Sequence, residues 1–213
     1  MSQPVDKTSR RDCERAFKEY TGIAEIPTGS YAVYTDGSVF EEPGTRACGA
    51  GYAIWKDCKL IEKHGRKLGD NDVNVGEIYA ILDVIYRLVD YEREDRTGTQ
   101  VHIFSDSDTT VKLLTDPGRV SKYYWLVQRV RRLAANMKYE FILHWIPSHL
   151  DRAGKEFEIH GNTVADSLAR EAALLSKSTS YVCPQNGLDN IKVHKEIMSA
   201  TARLVHDLSL IHI

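Results

Sequence analysis

The feature that most constrains this chain is a change of hydrophobic rhythm about a third of the way along it. Residues 31–39, 47–55 and 58–68 form three successive runs rich in β-branched and aromatic side chains, separated by Pro43-Gly44 and by Lys56-Asp57. Runs of this length bounded by turn residues read as strands, and such short connections join antiparallel neighbours. The rhythm then lengthens. Ile78, Ile81, Leu82, Ile85, Leu88 and Val89 recur at three- and four-residue spacings, which gives a helix from Glu77 to about Tyr91 one apolar face. A strand at 100–105 follows, then helical stretches at about 107–115 and 121–137 divided by Asp116-Pro117-Gly118, a strand at 139–146 and a core helix at about 162–175.

The expected fold is therefore α/β, a mixed five-stranded sheet with chain order β-β-β-α-β-α-α-β-α and helices on its faces. At 213 residues, 42% of them apolar, the chain suffices for one well-developed core with appendages. The expected division is an N-terminal extension at 1–30 with a helix-like stretch at 11–20, a catalytic domain at 31–177, and a C-terminal extension at 178–213 in which 191–208 has helical amphipathicity.

Charge and cysteine usage narrow the classes. Lys plus Arg total 28 against 30 Asp plus Glu, so a net charge of −2 gives no global field for a nucleic acid, and any such contact has to be local. Cys13, Cys48, Cys58 and Cys183 form neither a Cys-x-x-Cys pair nor a compact His/Cys cluster, which speaks against zinc and for reduced thiols in an intracellular protein. The first residues lack the apolar stretch of a signal peptide, and no apolar run approaches the roughly 20 residues of a membrane helix. The expectation is a location in cytoplasm or nucleus, with no membrane partner.

Four carboxylates stand out. Asp36 lies inside an apolar run, where a charge is costly unless paired or metal-bound, and Gly37 after it allows close approach of a ligand or of another backbone. The alternative is that Thr35-Asp36-Gly37-Ser38 is a plain turn. Glu77 opens the long helix, pointing toward the sheet or merely complementing the helix dipole. Asp106 ends a strand at the carboxyl edge where open sheets place ligands, or else caps the next helix. Asp166 sits among Val164, Ala165, Leu168 and Ala169, or is an ordinary exposed helix position. Together these place acids at a strand centre, a helix start, a strand end and another helix start, a set that can converge on a hard cation. Oxygen donors without neighbouring cysteine or histidine pairs suit magnesium better than zinc. Two such ions about 3.5–4 Å apart activate a water and stabilise the departing oxygen in phosphodiester cleavage.

Thr35-Asp36-Gly37-Ser38, Glu77 with Asn74 three residues earlier, Asp106-Ser107, and Trp145-Ile146-Pro147-Ser148-His149 followed by Gly161-Asn162 and Ala165-Asp166 occur in an order that resembles the type 1 RNase H family, from Tyr31 to about Lys177. The resemblance implies an RNase H-like fold and an endoribonuclease that hydrolyses the RNA strand of RNA–DNA hybrids. It makes Asp36, Glu77, Asp106 and Asp166 the ligands of two Mg2+ ions, with Mn2+ as a substitute, and His149 the loop histidine that assists proton transfer or product departure. Gly37, Ser38, Asn74 and Asn162 become candidate substrate contacts, with helix capping the alternative for Asn162 and an ordinary surface position that for His149. No small-molecule cofactor is implied, and a monomer is expected.

Two features depart from the family pattern. Residues 150–161 make a longer loop after His149 than is usual, and no lysine- and tryptophan-rich protrusion lies between Asp106 and Trp145. Lys122, Tyr123, Tyr124, Trp125, Arg129, Arg131 and Arg132 offer a reduced basic and aromatic grip, unless Trp125, Val127, Val130 and Leu133 simply fill the core. A proofreading exonuclease of the same fold class would carry an Asp-x-Glu in its first strand, whereas the residue two after Asp36 is Ser38. A transposase or integrase is disfavoured because the glutamate comes before the fourth strand. The competing function is a catalytically inactive binding or scaffolding module of the same fold.

Overall fold

The computed structural model describes residues 26–119, 121–147 and 156–177. Their order is β1 (Tyr31–Glu42), β2 (Thr45–Lys56), β3 (Lys59–Gly69), α1 (Val73–Tyr91), β4 (Gln100–Ser105), α2 (Asp108–Thr115), α3 (Tyr124–Ala135), β5 (Glu140–Trp145) and α4 (Glu156–Lys177). The sheet runs β3-β2-β1-β4-β5. β1, β2 and β3 pair antiparallel, while β4 lies parallel to both β1 and β5. The expected architecture is the observed one. No described helix is long and apolar enough to cross a membrane.

Turn residues set the two hairpins. Gly44 takes φ 79 between the paired Glu42 and Thr45. Asp57 and Cys58, at φ 48 and 62, form a two-residue turn between the paired Lys56 and Lys59. A right-handed sheet twist favours positive φ at both centres of such a turn. Cys58 therefore belongs to the turn, and the third strand opens one residue later than its apolar run suggested.

Strand alternation sends Val33, Tyr52, Ile54, Val101 and Ile103 to one face, where they meet Ile78, Ile81, Leu82, Ile85 and Leu88 of α1. Each of these large side chains contributes about 1.5–3 kcal/mol on burial. The rim of α1 is tied to β3 by the Arg66–Asp83 ion pair and by Glu62, which accepts from Arg87, Tyr52 and Tyr91. The other face carries Ala32, Tyr34, Ala53, Trp55 and Phe104. Here three side chains in register across parallel strands form a row of rings, Tyr34 stacked on Phe104 at 4.9 Å and Phe104 on His144 at 4.7 Å.

α4 closes that second face, and along the glycines of β2 and β3 it does so with almost no intervening side chains. A Cβ added at Gly49 would lie 2.2 Å from the carbonyl oxygen of Ala169, at Gly51 2.4 Å from that of Ala165, and at Gly65 2.8 Å from that of Leu168. The helix answers with Ala165, Ala169, Ala172 and Ala173, all buried.

Helix starts differ from expectation at α3, which begins at Tyr124 and not near Ser121, and more consequentially at α1 and α4. α1 begins at Val73, four residues before Glu77, because Asp72 caps it by accepting from the Val75 N–H at 3.2 Å. Val73, Val75 and Gly76 are weak helix formers, so the sequence pattern hides this first turn. α4 begins at Glu156 and not near Asn162, so helix takes up about half of the 150–161 stretch read as loop. Gly161, a usual breaker, stands inside α4 because a Cβ there would come within 2.4 Å of the Tyr34 ring. His149, residues 1–25 of the N-terminal extension, the C-terminal extension and the helix-like stretches of both lie outside the described residues.

Candidate active site

The rows of the sheet bring the acids together. Asp36 follows Tyr34 by two residues in β1, and Asp106 follows Phe104 by two just past the end of β4, so alternation along these paired strands sends both acids to the same side of the sheet. Asp36 is in the strand, paired with Gly51, which rules out the turn reading. Glu77 arrives from the opposite face because Gly37 has no side chain: a Cβ there would lie 2.4 Å from the Glu77 nitrogen and 2.8 Å from the Val73 carbonyl oxygen. The backbone approach that Gly37 permits is thus that of α1. Ligand oxygens of Asp36, Glu77 and Asp106 lie within 4.8 Å of one another, the only such set of three among the described residues.

Asp36 and Glu77 are buried and Asp106 half-buried. Burial first, then the charges of Asp106 and Asp166, hold the Asp36 carboxyl well above its ordinary range. The Glu77 carboxyl is held up by burial, then by Asp36 and Asp106, although the Gly37 N–H donates to it. The Ser105 hydroxyl also donates to Glu77 Oε2, at 3.4 Å. Like charges packed this closely favour protonated forms unless a cation takes the place of the protons. Hard oxygen donors with no histidine or cysteine among them fit a divalent metal ion of the magnesium type.

Asp166 does not start a helix as expected; it lies in the middle of α4, its side chain 32% exposed and paired with Arg170 at 2.8 Å. It stands on the edge of the three-acid set, close enough to Asp36 to raise that group. The competing role for Asp106 falls to its neighbour, since Ser107 caps α2 by accepting from the Thr110 N–H. The Trp145 indole N–H holds the Asp106 carbonyl oxygen at 3.2 Å.

The candidate substrate residues separate. Asn74, in the first turn of α1, donates from Nδ2 to the Tyr123 hydroxyl at 3.2 Å. Ser38 is half-buried opposite Gly49. Asn162 is well inside α4, so it caps nothing; it is buried, and its Oδ1 makes no hydrogen bond among the described residues. On α3, Val127 and Val130 enter the core, but Trp125 is 81% exposed, which removes it from the core reading. Arg131 caps the end of α2 through the carbonyls of Leu113, Leu114 and Asp116, and Arg129 lies over the Tyr86 ring. Ser105 and Arg170 were missed in the sequence. The alternation of β4 could have found Ser105, and the four-residue spacing from Asp166 could have found Arg170.

Solved structures share this fold. RNase H1 from the halophilic archaeon Halobacterium salinarum superposes with a TM-score of 0.53 at 18% identity, covering 68% of this chain and 97% of its own. LC11-RNase H1, isolated from compost by a metagenomic approach, gives 0.52 at 20% identity and covers 70% and 99%. The foamy viral protease-reverse transcriptase, solved in complex with an RNA/DNA hybrid, gives 0.55 at 15% identity over 82% of this chain and 22% of its own. The family model for RNase H matches residues 28–174, and the chain belongs to the RNase H family.

Proposed function

We propose that this chain is an endoribonuclease that hydrolyses the RNA strand of RNA–DNA hybrids, with two magnesium ions as its metals and manganese as a substitute. The observation that carries the reading is the convergence of Asp36, Glu77 and Asp106 within 4.8 Å, in a chain whose family membership supplies the reaction class. The hybrid bound by the foamy viral relative supports the substrate. Asp36, Glu77 and Asp106 hold the ions and Asp166 completes the set from α4. Bound divalent ions supply a nucleophilic water and charge neutralisation at the departing oxygen.

The remaining work falls to protein groups. Ser105 and the Gly37 N–H fix the Glu77 carboxyl by hydrogen bonds, so its position is set before substrate arrives. The stacked, buried rings of Tyr34 and Phe104, two residues before Asp36 and Asp106, hold that end of the two strands against the core. His149 assists proton transfer or product departure. Asn74 and Asn162, with the strand segment at Gly37 and Ser38, contact the RNA strand, where the 2′-hydroxyl separates RNA from DNA. Exposed Trp125, with Tyr124 and Arg132 on the same helix, grips the partner strand by stacking and charge. The domain that does this spans 31–177.

The deciding experiment is cleavage of a labelled RNA–DNA hybrid beside RNA–RNA and DNA–DNA duplexes, with magnesium and with chelator. Magnesium-dependent cutting of the RNA strand in the hybrid alone is the expected result. Binding without cutting under every condition would make the chain a catalytically inactive module of the same fold.

A further inference from the structure

The first turn of α1 contains a chain of hydrogen bonds whose direction is forced at every link. Asp72 accepts from the Val75 N–H at 3.2 Å and pairs with the Lys122 ammonium at 2.8 Å. Burial works against its charge, but the bonds from Lys122, Tyr123 and Val75 outweigh burial and hold the carboxyl below its usual range. An ionised carboxylate only accepts. The Tyr123 hydroxyl, 2.9 Å from both Asp72 oxygens, must therefore give its single proton to Asp72. Its oxygen is left with lone pairs alone.

Asn74 Nδ2 lies 3.2 Å from that oxygen and must be the donor. Turning the amide over would set Asn74 Oδ1 against the tyrosine lone pairs, two acceptors facing each other. The amide is thereby locked, and Oδ1 is the atom left over: it makes no hydrogen bond among the described residues, and the side chain is half-buried. Asn74 is three residues, about one turn, before Glu77 on the same helix.

We infer that Tyr123 is a positioning residue that fixes Asn74 as an acceptor, so that the chain reads the proton of an RNA 2′-hydroxyl and not its oxygen. The inference rests on the hybrid-cleaving reading above. It distinguishes a 2′-hydroxyl from a 2′-fluoro group, which keeps the RNA-like sugar shape and nearly the same size but has no proton to give. Anchoring of α3 by Tyr123 would by itself predict no such distinction.

The test walks a single 2′-deoxy or 2′-fluoro substitution along the RNA strand of a hybrid and measures kcat/KM at each position. The position read by Asn74 is the one whose 2′-deoxy penalty disappears in Asn74→Ala. In the unmodified protein, fluoro and deoxy at that position should both cost about tenfold, the scale of one lost hydrogen bond that leaves its partner unpaired. Tyr123→Phe, with its fold checked by thermal melting, should reduce that penalty to about threefold or less while penalties elsewhere and magnesium affinity stay unchanged. Fluoro tolerated as well as hydroxyl in the unmodified protein overturns the inference without any variant, as does a penalty unchanged in Tyr123→Phe or the absence of any position silenced by Asn74→Ala. If no hybrid is cut in magnesium at all, the proposed function fails and takes this inference with it. Cutting without the fluoro penalty removes only the role of Tyr123.

Discussion

Asp36→Asn keeps the shape of the side chain and removes one of three acids whose ligand oxygens lie within 4.8 Å. Two unit charges at that separation repel by about 3.5 kcal/mol at an effective dielectric constant of about 20. Part of this is relieved by bound protons, since burial and then the charges of Asp106 and Asp166 raise the Asp36 carboxyl well above its ordinary range. Holding those protons has a signature in pH. A folded-state pKa above the unfolded one gives a contribution fully present below about pH 4 and lost as pH rises through the raised value. Asparagine has no such loss. With chelator at pH 8 the variant should be the more stable protein by about 2 kcal/mol, or about 4–8 °C in Tm for a domain of this size. The gap should close near pH 4, and saturating magnesium should reverse the order, because only the unmodified site gains the full binding energy. Melts from pH 4 to 9, with chelator and with magnesium, give all three results. A variant that melts below the unmodified chain in chelator at pH 8, or a gap that does not move with pH, refutes the repulsion argument. Cleavage by the variant should be abolished in either case.

Gly37→Ala forces a methyl group to within 2.4 Å of the Glu77 backbone nitrogen, so it should cost about 1–3 kcal/mol in a urea melt and weaken divalent-ion binding by calorimetry. Trp125→Ala should leave Tm unchanged, since the ring is 81% exposed, yet weaken hybrid binding by about 1–3 kcal/mol; unaltered binding would show that the helix does not meet the nucleic acid. His149→Ala should lower turnover about 10²–10⁴-fold without eliminating it; a loss seen only in multiple turnover would assign it to product departure, and unchanged rates in both regimes would remove that histidine from the reaction. Burial pushes down the pKa of His102 and of His144, whose ring nitrogens meet at 3.0 Å, so their contribution to stability should be present above about pH 6.5 and fade as pH falls below it. Replacing both with glutamine should flatten that acid limb in a pH series of melts.

The element order was legible because period-two and period-3.6 patterns alternate cleanly, and the acids were legible because each interrupts such a pattern. Boundaries were hidden wherever a tertiary contact overrides local preference. Val73–Gly76 carries little helical signal, and only the Asp72 cap and the packing of Gly76 against the Gly49 carbonyl show that the helix has begun. Gly161 reads as a terminator until the Tyr34 ring is seen beneath it. Trp125 reads as one more large apolar residue beside Val127, Val130 and Leu133, but it stands two and five residues from the first two, off the three- and four-residue rhythm of their face, and so lies on the outer side of α3. The Asp72–Tyr123–Asn74 chain joins residues about 50 apart in sequence, 51 for Asp72 to Tyr123, and no spacing rule could have suggested it.

The seat of α4 has a consequence for incompletely folded copies of the chain. Three of the four acids belong to segments that pair early in the sequence, but Asp166 comes in on the last described helix, against glycines whose neighbours are bare backbone. Along the glycines such a contact leaves few side chains that could adjust to a half-docked arrangement, so intermediate positions of the helix gain little. On the proposed reading, a molecule still emerging from synthesis, or one with this helix detached, holds an unfinished set of ligands.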